Sequence, residues 1–141
     1  MLIQPYLAGK KEEAMNYRVH HYHLICSDLE QMIAFMTGTL GAELVERRKF
    51  GTADGATLDL ADNRINLRVA RDDETVAGDG SDVRYGYDHL GLEVDDVDKA
   101  YEELTAKGHT FTIPPRDFEQ WRIAFFKGPD NITIEILQMT G

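Results

Sequence analysis

His21-Tyr-His-Leu-Ile-Cys-Ser-Asp28-Leu-Glu-Gln-Met-Ile33 superimposes without a gap on His89-Leu-Gly-Leu-Glu-Val-Asp-Asp96-Val-Asp-Lys-Ala-Tyr101, a shift of 68 residues. Each segment opens with a histidine in a short apolar-rich run, passes a polar cap and enters a helical pattern. In the first copy Ser27 and Glu30 have capping-box spacing, and Leu29, Met32, Ile33, Met36 and Leu40 form an apolar stripe. In the second, Asp95 or Asp96 is the expected cap, and Val97, Ala100, Tyr101 and Leu104 form the stripe. Both helices should end near glycine, at Gly38 or Gly41 and at Gly108, where a left-handed residue costs least.

Three strand-like runs follow each helix. They are Glu43 to Phe50, Ala56 to Leu60 and Arg64 to Ala70, then Thr110 to Ile113, Trp121 to Lys127 and Ile132 to Gln138. Asp54-Gly55 suits a two-residue hairpin, and Asp62-Asn63 matches Asp130-Asn131 at the same shift of 68. The chain therefore reads as two βαβββ modules of an α+β protein. Module one spans 18–71, a linker rich in Asp, Glu and Gly spans 72–86, and module two spans 87–139. Residues 1–17 read as an N-terminal extension to a single domain over 18–141.

Composition narrows the partners. At 43% hydrophobic residues, 141 residues bury a core without staples. A net charge of −10 argues against nucleic acid and anionic membrane. No apolar run approaches a membrane span or a secretory leader, and the single cysteine, Cys26, gives no disulfide framework. The expectation is a cytoplasmic protein that binds a small molecule.

The repeat pairs His21 with His89. Alternation along a strand puts His21 and His23 on one face and Cys26 on the other, so Cys26 reads as a core thiol. The closing strands pair Asn66 with Glu135 through Ile65 and Ile134, once one extra residue is allowed after the second Asp-Asn turn. Glu135 is charged within an apolar run, where burial without a partner is costly. Two imidazoles and one carboxylate suit one divalent transition metal, Fe, Mn, Ni, Co or Zn, with positions left open for substrate. Arg68 shares a face with Asn66 and could pair with a substrate carboxylate or phosphate. Trp121 and Arg122 are further lining candidates with His23, while His20 and His109 read as surface or helix-end residues.

At His21 with Ser27-Asp28-Leu29, at Asp88-His89 with Glu93-Val94-Asp95-Asp96, and at Phe125-Phe126-Lys-Gly-Pro129-Asp130-Asn131-Ile-Thr-Ile-Glu135, the chain resembles the vicinal oxygen chelate superfamily. Glyoxalase I, extradiol dioxygenases and bleomycin resistance proteins belong to that group. The resemblance implies a cupped, barrel-like mixed sheet around a central metal held by His21, His89 and Glu135, with Asn66 at the fourth ligand position. It also implies a homodimer, in some members with the site built across chains. Asn66 is the informative departure, since an amide cannot take a proton where glyoxalase-type enzymes carry glutamate. The leading expectation is a glyoxalase-like lyase or isomerase that works through a metal-stabilised enediolate, with Glu135 as catalytic base. An extradiol-type iron dioxygenase is the alternative, disfavoured because Pro114 to Phe126 holds neither histidine nor tyrosine. A drug-binding resistance protein is the third.

Overall fold

A computed structural model of the chain describes residues 15–141; the expected extension thus lies largely outside the described residues. Module one comprises β1 (Tyr22–Ile25), α1 (Leu29–Ala34) running into a π-helical turn (Phe35–Thr39), β2 (Glu43–Phe50), β3 (Ala53–Leu60) and β4 (Asn63–Arg68). Module two repeats the plan with β5 (Leu90–Glu93), α2 (Val97–Ala106), β6 (Phe111–Phe118), β7 (Trp121–Lys127) and β8 (Thr133–Met139). Each module forms a four-stranded mixed sheet in the same order, β1-β4-β3-β2 and β5-β8-β7-β6. The two sheets remain separate, so the sheet is not closed into a barrel.

The registers carry the repeat into three dimensions. Tyr22 lies beside Ile65 in the parallel β1–β4 pair, and Leu90 beside Ile134 in the parallel β5–β8 pair. The extra residue of the second module therefore falls within the β7–β8 connection and not after its turn, and Asn66 and Glu135 occupy equivalent positions. Asp28 and Asp96 are the two caps, accepting from the backbone N–H of Gln31 and Lys99 at 3.0 Å each. Ser27 is not the first cap. Its backbone N–H donates to Asp130 of module two at 2.9 Å. Glu30 likewise leaves the capping box to pair with Arg47 at 2.8 Å.

One hairpin differs from expectation. The β2–β3 turn falls at Gly51-Thr52, because Phe50 pairs with Ala53. Asp54-Gly55 lies inside β3. Gly55 is required there by close approach: a Cβ would stand 2.3 Å from the Leu67 carbonyl oxygen and 2.6 Å from the Phe50 ring. The β3–β4 turn at Ala61-Asp62 and the β7–β8 turn at Asp130-Asn131 both use positive φ, so Ala61-Asp62 and not the expected Asp62-Asn63 is the counterpart of Asp130-Asn131, and Asn63 opens β4.

A single apolar core spans both modules. Met32, Met36, Leu58 and Ile65 from one join Val97, Ala124, Phe126 and Ile134 from the other. Phe35, on the π-helical turn, reaches Phe126 with ring centroids 6.4 Å apart. His109 closes the end of α2, its N–H on the Leu104 carbonyl at 3.1 Å, and is half-buried. It stacks between these rings, 5.6 Å from Phe35 and 5.4 Å from Phe126, and burial lowers its pKa, with Lys107 adding to the shift. The modules thus meet through the faces that carry their helices.

Phe126 is fully buried at that junction. Replacing it with alanine should destabilise the chain by about 3–5 kcal/mol, read from urea denaturation. A loss below about 1 kcal/mol would mean that the modules do not share a core.

Candidate functional site

Opposite the shared core, each sheet turns a second face outward, and the candidate ligands lie on these faces. In module two, His89 immediately precedes β5 and Glu135 lies on β8 in register with Gly91. His89 Nε2 is 3.1 Å from Glu135 Oε1, and its Nδ1 is 2.7 Å from the Asp88 carboxylate. Asp88 thereby fixes the ring that offers Nε2 to Glu135. The hydrogen bond to Asp88, and then that to Glu135, raise the His89 pKa against the opposing effect of burial. Phe125 packs edge-on against His89 with centroids 5.2 Å apart. Gly91, the counterpart of His23, leaves the space beside Glu135 clear.

In module one, His23 lies in register with Asn66, and His21 precedes them on the same face. His21 Nδ1 contacts His20 Nδ1 at 2.9 Å. Asn66 is buried, and its amide oxygen accepts from the Thr57 hydroxyl at 2.8 Å. Thr57 carries no metal-ligand signature in the sequence. Only the cross-strand register places it on Asn66.

The lining candidates separate. Arg68 follows Asn66 on the same face of β4 and is paired with Glu74 at 2.6 and 3.0 Å. Trp121 shares the Glu135 face of β7, in register with Met139. Arg122 lies on the opposite, helix-bearing face. Its guanidinium donates to Asp98 on α2 at 2.7 and 2.9 Å and to Asp117 at 3.0 Å. Alternation along β7 separates Arg122 from Trp121, because neighbouring residues of a strand point to opposite faces.

His89 and Glu135 fit a metal. Two donors about 2.1 Å from one ion and about 90° apart lie about 3 Å from each other. Asp88 supplies the outer contact that commonly orients a ligating imidazole. Module one offers a second pair of donors, His21 and Asn66, at the equivalent positions. Among the described residues, however, no three His, Cys, Asp or Glu side chains approach closely enough to hold one ion. One chain therefore keeps the two candidate pairs apart.

The family model for the glyoxalase, bleomycin resistance protein and dioxygenase superfamily matches residues 18–136, and the chain belongs to that family. It is 42% identical over 52 residues to YraH of Bacillus subtilis, a match covering 36% of this chain and 41% of YraH. Lactoylglutathione lyase GLX1 of Arabidopsis thaliana is 28% identical over 127 residues, 87% of this chain and 44% of that enzyme. The match thus covers less than half of either relative. The structure of a mutant of the fosfomycin resistance protein FosX from Listeria monocytogenes, complexed with Mn(II) and a dihydroxypropylphosphonic acid, superimposes with a TM-score of 0.67. It is 21% identical and covers 90% of this chain and 94% of FosX, a likeness of fold. No helix among the described residues is long and apolar enough to cross a membrane.

Cys26 faces the core, 3% exposed, and burial, then the charges of Asp130 and Asp28, push its thiol up from 9.0 to about 11. The fold holds the protonated form, so the stability it contributes is intact below pH 9 and is lost as the pH rises towards 11. A disulfide reagent should react with Cys26 only after unfolding. Cys26→Ala should lose stability less steeply than wild type across that alkaline range, by thermal melts. Prompt reaction of the folded protein would overturn the assignment.

Proposed function

We infer that this protein is a metal-dependent lyase or isomerase of glyoxalase type. Its metal site is formed by His89 and Glu135 of one chain with His21 and Asn66 of a second copy. The observation that carries this reading is the 3.1 Å approach of His89 Nε2 to Glu135 Oε1, with Asp88 behind the imidazole. The equivalent register of His21 and Asn66 supports it, as do a relative described as a lactoylglutathione lyase and a fold neighbour that holds Mn(II). A homodimer follows from the same geometry: the half-sites face away from the core their own modules share, so a second chain is needed to bring unlike halves together.

A divalent ion held there would supply Lewis-acid stabilisation of an oxyanion formed on the substrate. The chain's own residues do the rest. Asn66 is neutral and its oxygen is engaged by Thr57, so it orients without accepting a proton. Glu135 is the carboxylate of the four and moves the proton. His23 and Arg68 line the site from module one, and Trp121 from module two. Arg122, committed to Asp98 and Asp117, is left out of the lining.

Plasma mass spectrometry on untagged protein should find about one transition ion per site, lost in His89→Ala and Glu135→Ala with little change in melting temperature. Mixing unfolded His21→Ala and His89→Ala chains and refolding them together should restore about a quarter of wild-type metal, because half the dimers are mixed and one of their two sites is intact. Restoration to no more than background would place the site within one chain. Failure of wild type to bind any ion on reconstitution would remove the catalytic reading itself.

A further inference from the structure

The two candidate faces differ in chemistry. On module one, the row beside His23 and Asn66 runs Ile25, Arg68, Gly55 and Arg48 across the four strands. Gly55 contributes no side chain, and the Phe50 ring lies over it. Arg48 stands 4.7 Å from the centroid of that ring, and His23 packs on it at 4.5 Å. Arg71 reaches the Phe50 carbonyl at 3.1 Å. Arg48 lies on the Phe50 ring, Arg71 on its carbonyl, and Arg68 in the same row, in a chain of net charge −10. The corresponding row of module two runs Glu93, Leu137, Ile123 and Arg116, apolar at its two central strands.

Arg68 has a planar fork of donors, and both arms are taken by one carboxylate. Its Nη1 and Nη2 donate to Glu74 Oε1 and Oε2 at 2.6 and 3.0 Å, while its side chain is only 11% exposed. The Arg71 backbone N–H adds a third bond to Glu74 at 2.7 Å. Arg68 and this backbone bond hold the Glu74 carboxyl at about 2, so it is ionised at any ordinary pH. A bidentate guanidinium and an adjacent N–H are what a bound carboxylate or phosphoryl group would require.

Glu74 belongs to no strand. It lies in the irregular segment between β4 and β5, tied locally by its N–H to the Arg71 carbonyl at 3.0 Å. It also borders an open cleft of about 1110 Å³ between that segment and the body of the protein. Its carboxylate can therefore leave Arg68 without breaking a sheet hydrogen bond.

We propose that Arg68 is the oxyanion-binding residue of this face and that Glu74 is its resident carboxylate, exchanged for the carboxylate or phosphoryl group of an incoming ligand. This rests on the reading that the Asn66 face receives substrate. Arg68 lies two residues along β4 from Asn66, about 7 Å, which sets the spacing between the ligand's anionic group and the oxygens it presents to the metal. The ligand class is a small oxygenated acid, anionic towards module one and apolar towards Phe125, Ile123 and Leu137 of module two.

The test is calorimetric titration of the full chain with acetate and, separately, inorganic phosphate. A resident carboxylate lowers apparent affinity by the fraction of chains that hold it, so Glu74→Gln should tighten binding of at least one probe by about tenfold. The probe that gains identifies carboxylate or phosphoryl as the preferred group. Adding Arg68→Gln to Glu74→Gln should abolish the gain. Equal affinity in wild type and Glu74→Gln, or a gain that survives loss of Arg68, would overturn the proposal. Metal content measured on the same preparations separates the two readings: metal loss with exchange retained strikes only the proposed activity, and normal metal without exchange strikes only this assignment.

Discussion

In each module, the first and last strands of the βαβββ unit pair in parallel. That pairing forces the helix to cross between them, since two parallel neighbours need a long connection. It also fixes which side chains become neighbours across the sheet. Tyr22 beside Ile65 and Leu90 beside Ile134 place His21 and His89 one step from Asn66 and Glu135 respectively, on the face away from the helix. A slip of one residue in either ladder would turn Asn66 or Glu135 into the core and bring an isoleucine onto the site face. The apolar alternation around Ile65, Leu67, Ile134 and Ile136 opposes such a slip, because all four are buried. Packing on one face thus holds the chemistry on the other.

The junction between modules shapes what the candidate ligands can do. Phe35, His109 and Phe126 join the helix-bearing faces, and the Ser27 backbone donates to Asp130 across the same junction. Both candidate faces are left turned away from that shared core. The geometry explains how the four candidate donors lie as two separate pairs. It also gives the linker 72–86 room to act on one half-site alone, since Glu74 reaches Arg68 and the donors of module two lie on another sheet.

The repeat has diverged unequally. Module two keeps a carboxylate at its fourth-strand position with an apolar surround, where a metal or a charged histidine is the fitting partner. Module one has Asn66 there, with the Thr57 hydroxyl on the amide oxygen, which satisfies the buried polar atoms without charge. Around this neutral pair it has collected Arg48, Arg68 and Arg71. The two halves of a repeated plan have become polarised, with a carboxylate–imidazole pair on one side and guanidinium groups on the other.

The two modules, the order of strands and helices, and the pairing of His21 with His89 and of Asn66 with Glu135 are legible along the chain, because they depend on alternation, capping and a repeat. What depends on competition between partners is not. Ser27 has a suitable cap spacing but finds Asp130, Asp54-Gly55 has turn chemistry but lies under Phe50, and His109 closes a helix end but turns its ring between Phe35 and Phe126. Arg122 and Arg68 look alike as lining residues. Folding separates them, through strand parity and the carboxylates within reach: Asp98 draws Arg122 to the helix face, and Glu74 holds Arg68 beside the site. Whether the half-sites meet within one chain is likewise decided only in three dimensions, since it turns on which faces of two similar sheets bury their apolar surface against each other.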